Sequence, residues 1–550
     1  MNETAENKEK EISLTRQSAW LLFAKIVGFA LSFLLPPLTV RYLAQDKVGV
    51  YRQSFQVIMD AISILPLGFS MSAFYFLNRR AEKRSAAIFN ILLFNFCTGG
   101  LAFLTLFFFP QLLGNIFPKD ALEMTRLAPL IGAVVWLWIF STFLEVVALA
   151  GRETKKATFF IILAQLTKTV LMAGAVIVFS TVEAFVYAAI VQGFLQTGVL
   201  ILYLKSRYPK FWTQFDPSFF REQMIYALPF GLAGLLYTLQ SSIHNYFVGY
   251  RFGAADFAVY TQGCFELPLI AMLYESISAV MIPRMSEMQA EGKTREMLLT
   301  SVNAMKKLAL AYFPLFVFLM IVAPELITTL FTKNYSESVP IFRINLLLLP
   351  FYCLMLDPIG RAFPEVGRFV LKVRLVLFFA LLAALYFGIQ HFDLRGMIAI
   401  VVVAVLIERF VSLSKILKIL EVKSADFYLL KNVGRTAIAA VMSGVVLFIF
   451  YSLFKDFLLE VCLDFSRRLL TFIHFAKGAD FVGGSLFLGI WFAVFAAIYL
   501  FVADSLNVFE DEDKEKLRNI LRKIRRKRGD SLDENALSMP NRIRNLKPEI

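Results

Sequence analysis

Histidine occurs three times in 550 residues, at His244, His391 and His474, and cysteine four times. Cys97, Cys264 and Cys353 sit inside apolar runs and Cys462 has no polar-region partner, so a disulfide framework and a zinc site both lack the spacing they need. Charged residues make up only 18% of the chain, against about 25% in an ordinary soluble domain. There is no Gly-rich phosphate loop, no Ser-His-Asp grouping and no cluster of metal ligands. These absences argue against an ATP-driven pump and against hydrolytic or metal-dependent enzymes.

Apolar residues fill the space left over. They form 58% of the chain, and 58 residues are phenylalanine. A soluble domain cannot hide so much apolar surface, because its area grows almost as fast as its volume. Runs such as VGFALSFLLPPLTV and GGLAFLTLFFF are apolar on every side. That excludes a transmembrane β-barrel, whose strands alternate polar and apolar residues. The sequence therefore reads as an all-α polytopic membrane protein.

Fourteen stretches have about the 20 residues a bilayer needs: 18–40, 51–77, 86–109, 127–150, 157–180, 182–204, 224–249, 257–282, 308–330, 339–360, 369–390, 396–420, 436–455 and 482–503. The polar N-terminus 1–17 and the length of the first run speak against a cleaved signal. With the N-terminus in the cytoplasm, 41 of the 56 Lys and Arg residues fall in cytoplasmic segments and 13 outside; Lys25 and Lys168 lie within helices. This bias predicts both termini inside. It also accounts for most of the net charge of +14 without invoking nucleic acid. In the tail, 514–528 is strongly basic, with Leu517, Ile520, Leu521 and Ile524 at i, i+3, i+4 and i+7. It reads as an interfacial helix on anionic lipid or as a solvated charged tail. The longest outside segment, 456–481, reads as another interfacial helix.

An internal repeat is visible. RYLAQDKVGVYRQSF near the second span matches YRFGAADFAVYTQGCF near the eighth, so that Val50, Tyr51 and Gln53 align with Val259, Tyr260 and Gln262. Six spans separate the copies, which gives both the same orientation. The expected organisation is an N-lobe at 18–204, a cytoplasmic linker at 205–223 and a C-lobe at 224–420. An extra helix pair at 436–503 and a basic tail at 504–550 follow.

Several segments resemble the Wzx-type oligosaccharide flippases, the polysaccharide transporter branch of the multidrug/oligosaccharidyl-lipid/polysaccharide flippase superfamily. They are VGVY at the first corner, LPLGFSMSAFYFLNRR at 65–80, ALAGRETKKATFF at 148–160, YALPFGLAGLLYTL at 226–239 and APELITTLFTKNYSESVPIFRI at 323–344. The resemblance implies two six-helix lobes around a central cavity and alternating access. It further implies transfer of a polyprenyl-diphosphate-linked oligosaccharide across the cytoplasmic membrane of a bacterium, beside a polysaccharide assembly machinery. No cofactor is expected; a proton or sodium gradient, or the membrane potential, could drive the cycle. Many relatives carry an acid in the seventh span where this chain has Ser-Ile-His-Asn, and its eleventh span holds no carboxylate.

A charge at bilayer depth costs at least ~2.5–3.5 kcal/mol, so each one is a functional hypothesis. Lys25 and Arg52 belong to the first helix pair, which borders the cavity in the resembled fold, and could contact a diphosphate. Asp60 could orient either cation, or bind a proton or sodium. Glu145 and Lys168 lie on consecutive spans and could neutralise each other. His244 reads as a satisfied buried histidine or a proton site. Glu266 and Glu275 are nine residues apart, on opposite sides of one helix, so only one should face the cavity. Asp357 completes the set of ion-coupling or pairing candidates, and Glu408 beside Arg409 reads as snorkelled or paired. Three competing readings stay open: a lipid II-type flippase, a multidrug exporter of the same superfamily, and a membrane-embedded glycan polymerase or glycosyltransferase. The last would need a larger polar outside loop than this chain has, which favours a transporter over an enzyme.

Overall fold

The computed structural model describes residues 2–213, 215–471 and 478–509. The basic segment 514–528 lies outside the described residues. Among the described residues there are nineteen α-helices and no β-strand. The first nine are α1 (Asn2–Tyr42), α2 (Gln45–Ile64), α3 (Ser72–Arg79), α4 (Arg84–Phe108), α5 (Gln111–Ile116), α6 (Ala121–Ser141), α7 (Phe143–Ala150), α8 (Thr154–Phe179) and α9 (Val182–Arg207). Then come α10 (Pro217–Phe252), α11 (Ala254–Gly263), α12 (Pro268–Ala290), α13 (Thr294–Phe331), α14 (Ser338–Leu346) and α15 (Asp357–Ala362). The last four are α16 (Pro364–His391), α17 (Leu394–Ile419), α18 (Lys431–Thr471) and α19 (Ala479–Ser505). Eleven helices are long and apolar enough to cross a membrane, and α2 with α3 makes a twelfth, bent by 48°. The expected eighth and tenth spans are present as shorter pieces, so fourteen crossings remain compatible with the chain path.

Proline and its neighbours explain the breaks. Pro66 and Gly68, the latter at φ +70°, end α2. Pro268 starts α12 after an extended Leu267, because proline offers no N–H to the preceding turn and pushes the residue before it out of the α region. In the tenth span Pro350 and Pro358 sit in the first turns of short helical pieces, and the chain breaks between them at an extended Leu354. Proline alone is not enough: α13 carries Pro314 and Pro324 and runs unbroken for 38 residues.

Helices between 20 and 207 pack mainly on one another, as do those between 217 and 419. The α18–α19 hairpin packs along α13. The outside segment expected to form a separate interfacial helix instead continues α18 to Thr471. It packs against the start of α19, where Ser466 Oγ donates to the Ala479 carbonyl at 2.6 Å. Large apolar side chains such as Leu101, Val178, Leu202, Leu453 and Phe501 lie on the surface. In water such a surface would aggregate; in a bilayer it is the solvent-matched face.

The two halves meet along two seams. At the end that the charge bias predicts to be the outer one, α2 lies so close to α11 that a Cβ on Gly49 would stand 1.8 Å from the Ala254 carbonyl oxygen. The two copies of the repeat therefore face each other. Arg41 adds to this end by donating to the Leu330 and Thr329 carbonyls at 2.9 and 2.6 Å, which satisfies the last turn of α13. The second seam joins α10 to the whole bent span, from Asp60 to Arg80, with a Cβ on Gly231 only 2.0 Å from the Leu67 carbonyl oxygen.

Asp216 caps α10. It accepts from the Phe219 N–H at 3.0 Å, from Ser218 Oγ at 2.7 Å and from Lys83 Nζ at 3.0 Å. The backbone N–H first, then Ser218 and Lys83, hold its carboxyl well below the usual carboxylate range. A depressed value contributes stability above the unfolded pKa of about 3.9, and that stability is lost as pH falls through the folded value. Asp216→Ala should therefore lower the melting temperature at pH 7. The gap to wild type should close as pH drops below about 3.9. A gap that persists in acid would show that the cap acts through something other than the carboxylate.

Candidate binding cavity

A cavity of about 930 Å³ opens inside the second half of the chain, lined by residues from Tyr237 to Ile416. The two broken spans make it possible. Where α12 starts late, Phe265 and Glu266 hang in the gap; where the tenth span is broken into short pieces, Tyr352 of a 3-10 turn and Asp357 and Arg361 of α15 line the cavity. Unbroken α10, α16 and α17 supply the other walls.

Three arginines line the cavity. Arg374 Nε and Nη2 both donate to Glu408 Oε1, at 3.1 and 2.7 Å, and Gln240 Nε2 donates to Glu408 Oε2 at 2.8 Å. The Arg374 guanidinium also lies 5.6 Å from the centre of the Tyr237 ring. Arg409 sits 4.5 Å over Tyr352 and donates to the Phe351 carbonyl at 3.3 Å, while its Nε–H is buried without an acceptor. The opposite charge of Glu266 lies within electrostatic reach of Arg409. Arg361 is exposed and has no ion pair or hydrogen bond among the described residues. Near Arg361, at the start of α15, Asp357 Oδ2 accepts from the Tyr274 hydroxyl at 2.9 Å. Cations held on aromatic faces and only partly engaged by carboxylates can exchange those partners for an anionic ligand.

The candidates named from sequence are distributed unevenly. Lys25 is not a lone cation: its Nζ is 3.2 Å from Glu275 Oε2, across the gap between α1 and α12, with both side chains about 60% exposed (59% and 62%). An ion pair so exposed is worth little, about 0–1 kcal/mol, and can break cheaply. Arg52 does not line the cavity. It sits in the outer seam, where its Nη2 donates to Gln262 Oε1 at 3.1 Å. Asp60 lies on the α2–α10 seam, away from both cations. Glu145 and Lys168 do not pair. Lys168 stands 4.6 Å over the Trp138 ring, and the charge that acts on Glu145 is that of Lys25. Consecutive spans brought the two residues to neighbouring helices but not to facing sides.

His244 is buried, with Nδ1 2.8 Å from the Tyr260 hydroxyl. Glu266 and Glu275 both line the cavity, contrary to the expectation of opposite faces. Glu266 precedes α12 in the non-helical gap, so helical periodicity does not relate the two. Glu408 is the paired acid, and its partner Arg374, which falls inside the expected eleventh span at 369–390, is the charge that the sequence reading did not single out. Pro364 is the signal that could have found it: proline at the first helical position starts α16 there and puts Arg374 about 15 Å along the helix from its start. Among the described residues no group of three His, Cys, Asp or Glu could hold a metal ion.

Comparison with known proteins follows from this geometry. The chain resembles a solved structure titled lipid II flippase MurJ, inward closed conformation, at 14% identity and TM-score 0.64, covering 89% of this chain and 98% of the other. It also resembles an inward-facing multidrug resistance MATE family transporter of the MOP superfamily, at 19% identity and TM-score 0.55, over 74% and 96% of the two chains. A MOP superfamily transporter from Pyrococcus furiosus, described as having a binding pocket of reversed polarity, matches at 16% identity and TM-score 0.54, over 74% and 95%. No curated protein sequence matches. These likenesses establish the fold, which is shared with those transporter structures. The model of the family described as polysaccharide biosynthesis protein matches residues 41–340. That is more than half of the sequence, and the chain belongs to this polysaccharide biosynthesis family.

Proposed function

We propose that this protein is a flippase that moves a polyprenyl-diphosphate-linked oligosaccharide across the cytoplasmic membrane of a bacterium by alternating access, without chemical turnover. The observation that carries the reading is a cavity at bilayer depth whose walls bear Arg361, Arg374 and Arg409 beside Tyr237, Tyr274 and Tyr352. Its volume of about 930 Å³ is at the upper end of ordinary ligand sites, about 300–1,000 Å³. Arginines suit a diphosphate, and tyrosine rings with hydroxyl tips suit sugar faces. The family match to polysaccharide biosynthesis supports the sugar-linked half of the reading. The Lys25–Glu275 pair sits where an anion entering between α1 and α12 would meet it, and a phosphate could take Lys25 from its acid. The positive-inside bias supports cytoplasmic termini, with the basic tail 514–528 on anionic lipid.

A lipid II-type substrate has the same diphosphate, so the sugar decides between the two. Purified protein in liposomes should carry a lipid-linked oligosaccharide from one leaflet to the other with its mass unchanged. It should carry lipid II at least tenfold more slowly. Equal rates would favour a lipid II flippase, and a lengthened or cleaved glycan would overturn the transporter reading.

A further inference from the structure

We propose that Asp60 and the oxygens around it form a binding site for one monovalent cation, a proton or sodium, on the seam between the two halves. Asp60 is only 8% exposed. It lies fifteen residues into α2, about 22 Å along the helix from its outer end and so at hydrocarbon depth. Its carboxylate accepts three hydrogen bonds: from Gln56 Nε2 at 2.9 Å on its own helix, and from Ser242 Oγ and Tyr246 OH on α10, both at 2.8 Å. These donors satisfy the lone pairs but bring no positive charge.

Among the described residues, no cation on the surrounding elements pairs with it. Arg52 is eight residues away, roughly 12 Å along α2, and is engaged with Gln262. Around the seam, His244 is bonded to Tyr260 of α11. Asp120 accepts from Gln53 of α2. On α6, Glu123 holds Lys47 and Arg126 pairs with Glu183 of α9, and on α16 Arg374 is held by Glu408 of α17. Among the described residues no Lys, Arg or His pairs with Asp60. A buried acid in a membrane with its hydrogen bonds made and its charge unmet has the composition of a cation site with the cation removed.

The surroundings supply ligands. Ser242 and Tyr246 hydroxyls can donate to a carboxylate or turn their lone pairs to a cation. Asn245 Nδ2 donates to Gln56 Oε1 at 3.0 Å, which leaves Asn245 Oδ1 buried with no partner. That unused acceptor is the second sign of a missing ligand. Rotation of the two amides would present both oxygens to the Asp60 side. The resulting set is one carboxylate, two hydroxyls and two amide oxygens, the hard donors a small cation prefers. Two of the five residues are on α2 and three on α10, so occupancy changes the bonds that join the halves. By linkage, a change in how the halves sit must change the affinity.

The binding site itself does not depend on the flippase reading; only its use in transport does. The test uses the full-length protein in nanodiscs, with ²²Na⁺ binding and proton uptake as readouts and no oligosaccharide present. Wild type should bind one ²²Na⁺ per chain, displaced by unlabelled sodium. Asp60→Asn should bind at least tenfold more weakly, and Asn245→Ala, which keeps the carboxylate, about three- to tenfold more weakly. Absence of ²²Na⁺ binding, with one proton per chain taken up between pH 8 and pH 5 and lost in Asp60→Asn, would make the occupant a proton. Equal sodium binding and equal proton uptake in wild type, Asp60→Asn and Asn245→Ala, with matching melting temperatures, would overturn the site. Should Asp60→Asn fail to fold, Asn245→Ala and Ser242→Ala decide by the same criterion. A protein that binds the cation but moves no oligosaccharide would refute the flippase reading and leave this site intact.

Discussion

Arg374→Ala should lose about 3–5 kcal/mol of stability and most of its transport, because it strands Glu408 at bilayer depth with Gln240 as its remaining partner. The pair is shielded, with side-chain exposure of 29% for Arg374 and 15% for Glu408, so solvent screening does not rescue it. Stability and function should then separate. In the double variant Arg374→Met, Glu408→Leu both charges go together and the volume is kept, and such replacements are commonly neutral or stabilising. Its thermal melting should return to wild type or above. Its transport should not return, since one charge-assisted contact to a diphosphate, worth about 1.5–3 kcal/mol, is missing. That corresponds to roughly a ten- to hundredfold slower flux at about 1.4 kcal/mol per decade. Normal flux in the double variant would make the pair a packing device and move substrate recognition to Arg361 and Arg409.

Gly49→Ala should spring the outer seam. The new methyl carbon would meet the Ala254 carbonyl at 1.8 Å, a backbone atom on a packed helix that has no rotamer to change. Overpacking of this kind costs about 1–3 kcal/mol. It is paid only while α2 and α11 are together, so it shifts the population toward the separated arrangement by up to about a hundredfold. A cysteine at the buried position 259, on the facing copy of the repeat, should then react with an impermeant thiol reagent from outside ten- to a hundredfold faster. Gly174→Ala is the control, since nothing lies within 4 Å of its Cβ. An unchanged labelling rate in Gly49→Ala would mean that the seam does not open during the cycle.

The sequence made the spanning helices readable because a run of apolar residues has one physical use at that length. It also disclosed the likeness of the segments around Val50 and Val259, although as a repeat rather than as the seam where Gly49 meets Ala254 and Arg52 meets Gln262. The breaks were harder. Pro268 begins a new helix after an extended Leu267, whereas Pro314 lies inside a continuous α13, and the residue type alone does not tell the two apart. Once the eighth span breaks, the angular argument about Glu266 and Glu275 fails, since it assumed one continuous helix. Pairings between helices were the least legible. Lys168 chose the Trp138 ring over Glu145, and Lys25 found Glu275 some 250 residues away, because side-chain direction on a helix is set by rotation that composition does not encode.

The length of α18 bears on what the molecule presents beyond the lipid. Its 41 residues measure about 61 Å, whereas a bilayer with its headgroups is about 40–45 Å thick. Its partner α19, at 27 residues, is about 40 Å long and fits that thickness with little tilt. The charged stretch from Lys455 to Arg468 sits at the outer end, where Arg467 reaches Asp480 at 3.6 Å. Yet Ser466 bonds Ala479 at one end and Arg435 donates to the Asn507 carbonyl at 3.5 Å at the other, so the two helices run side by side over the same height. Only about five residues of α18, ~8 Å, pass the start of α19, and the hairpin is a clasp fastened at both ends rather than a projection.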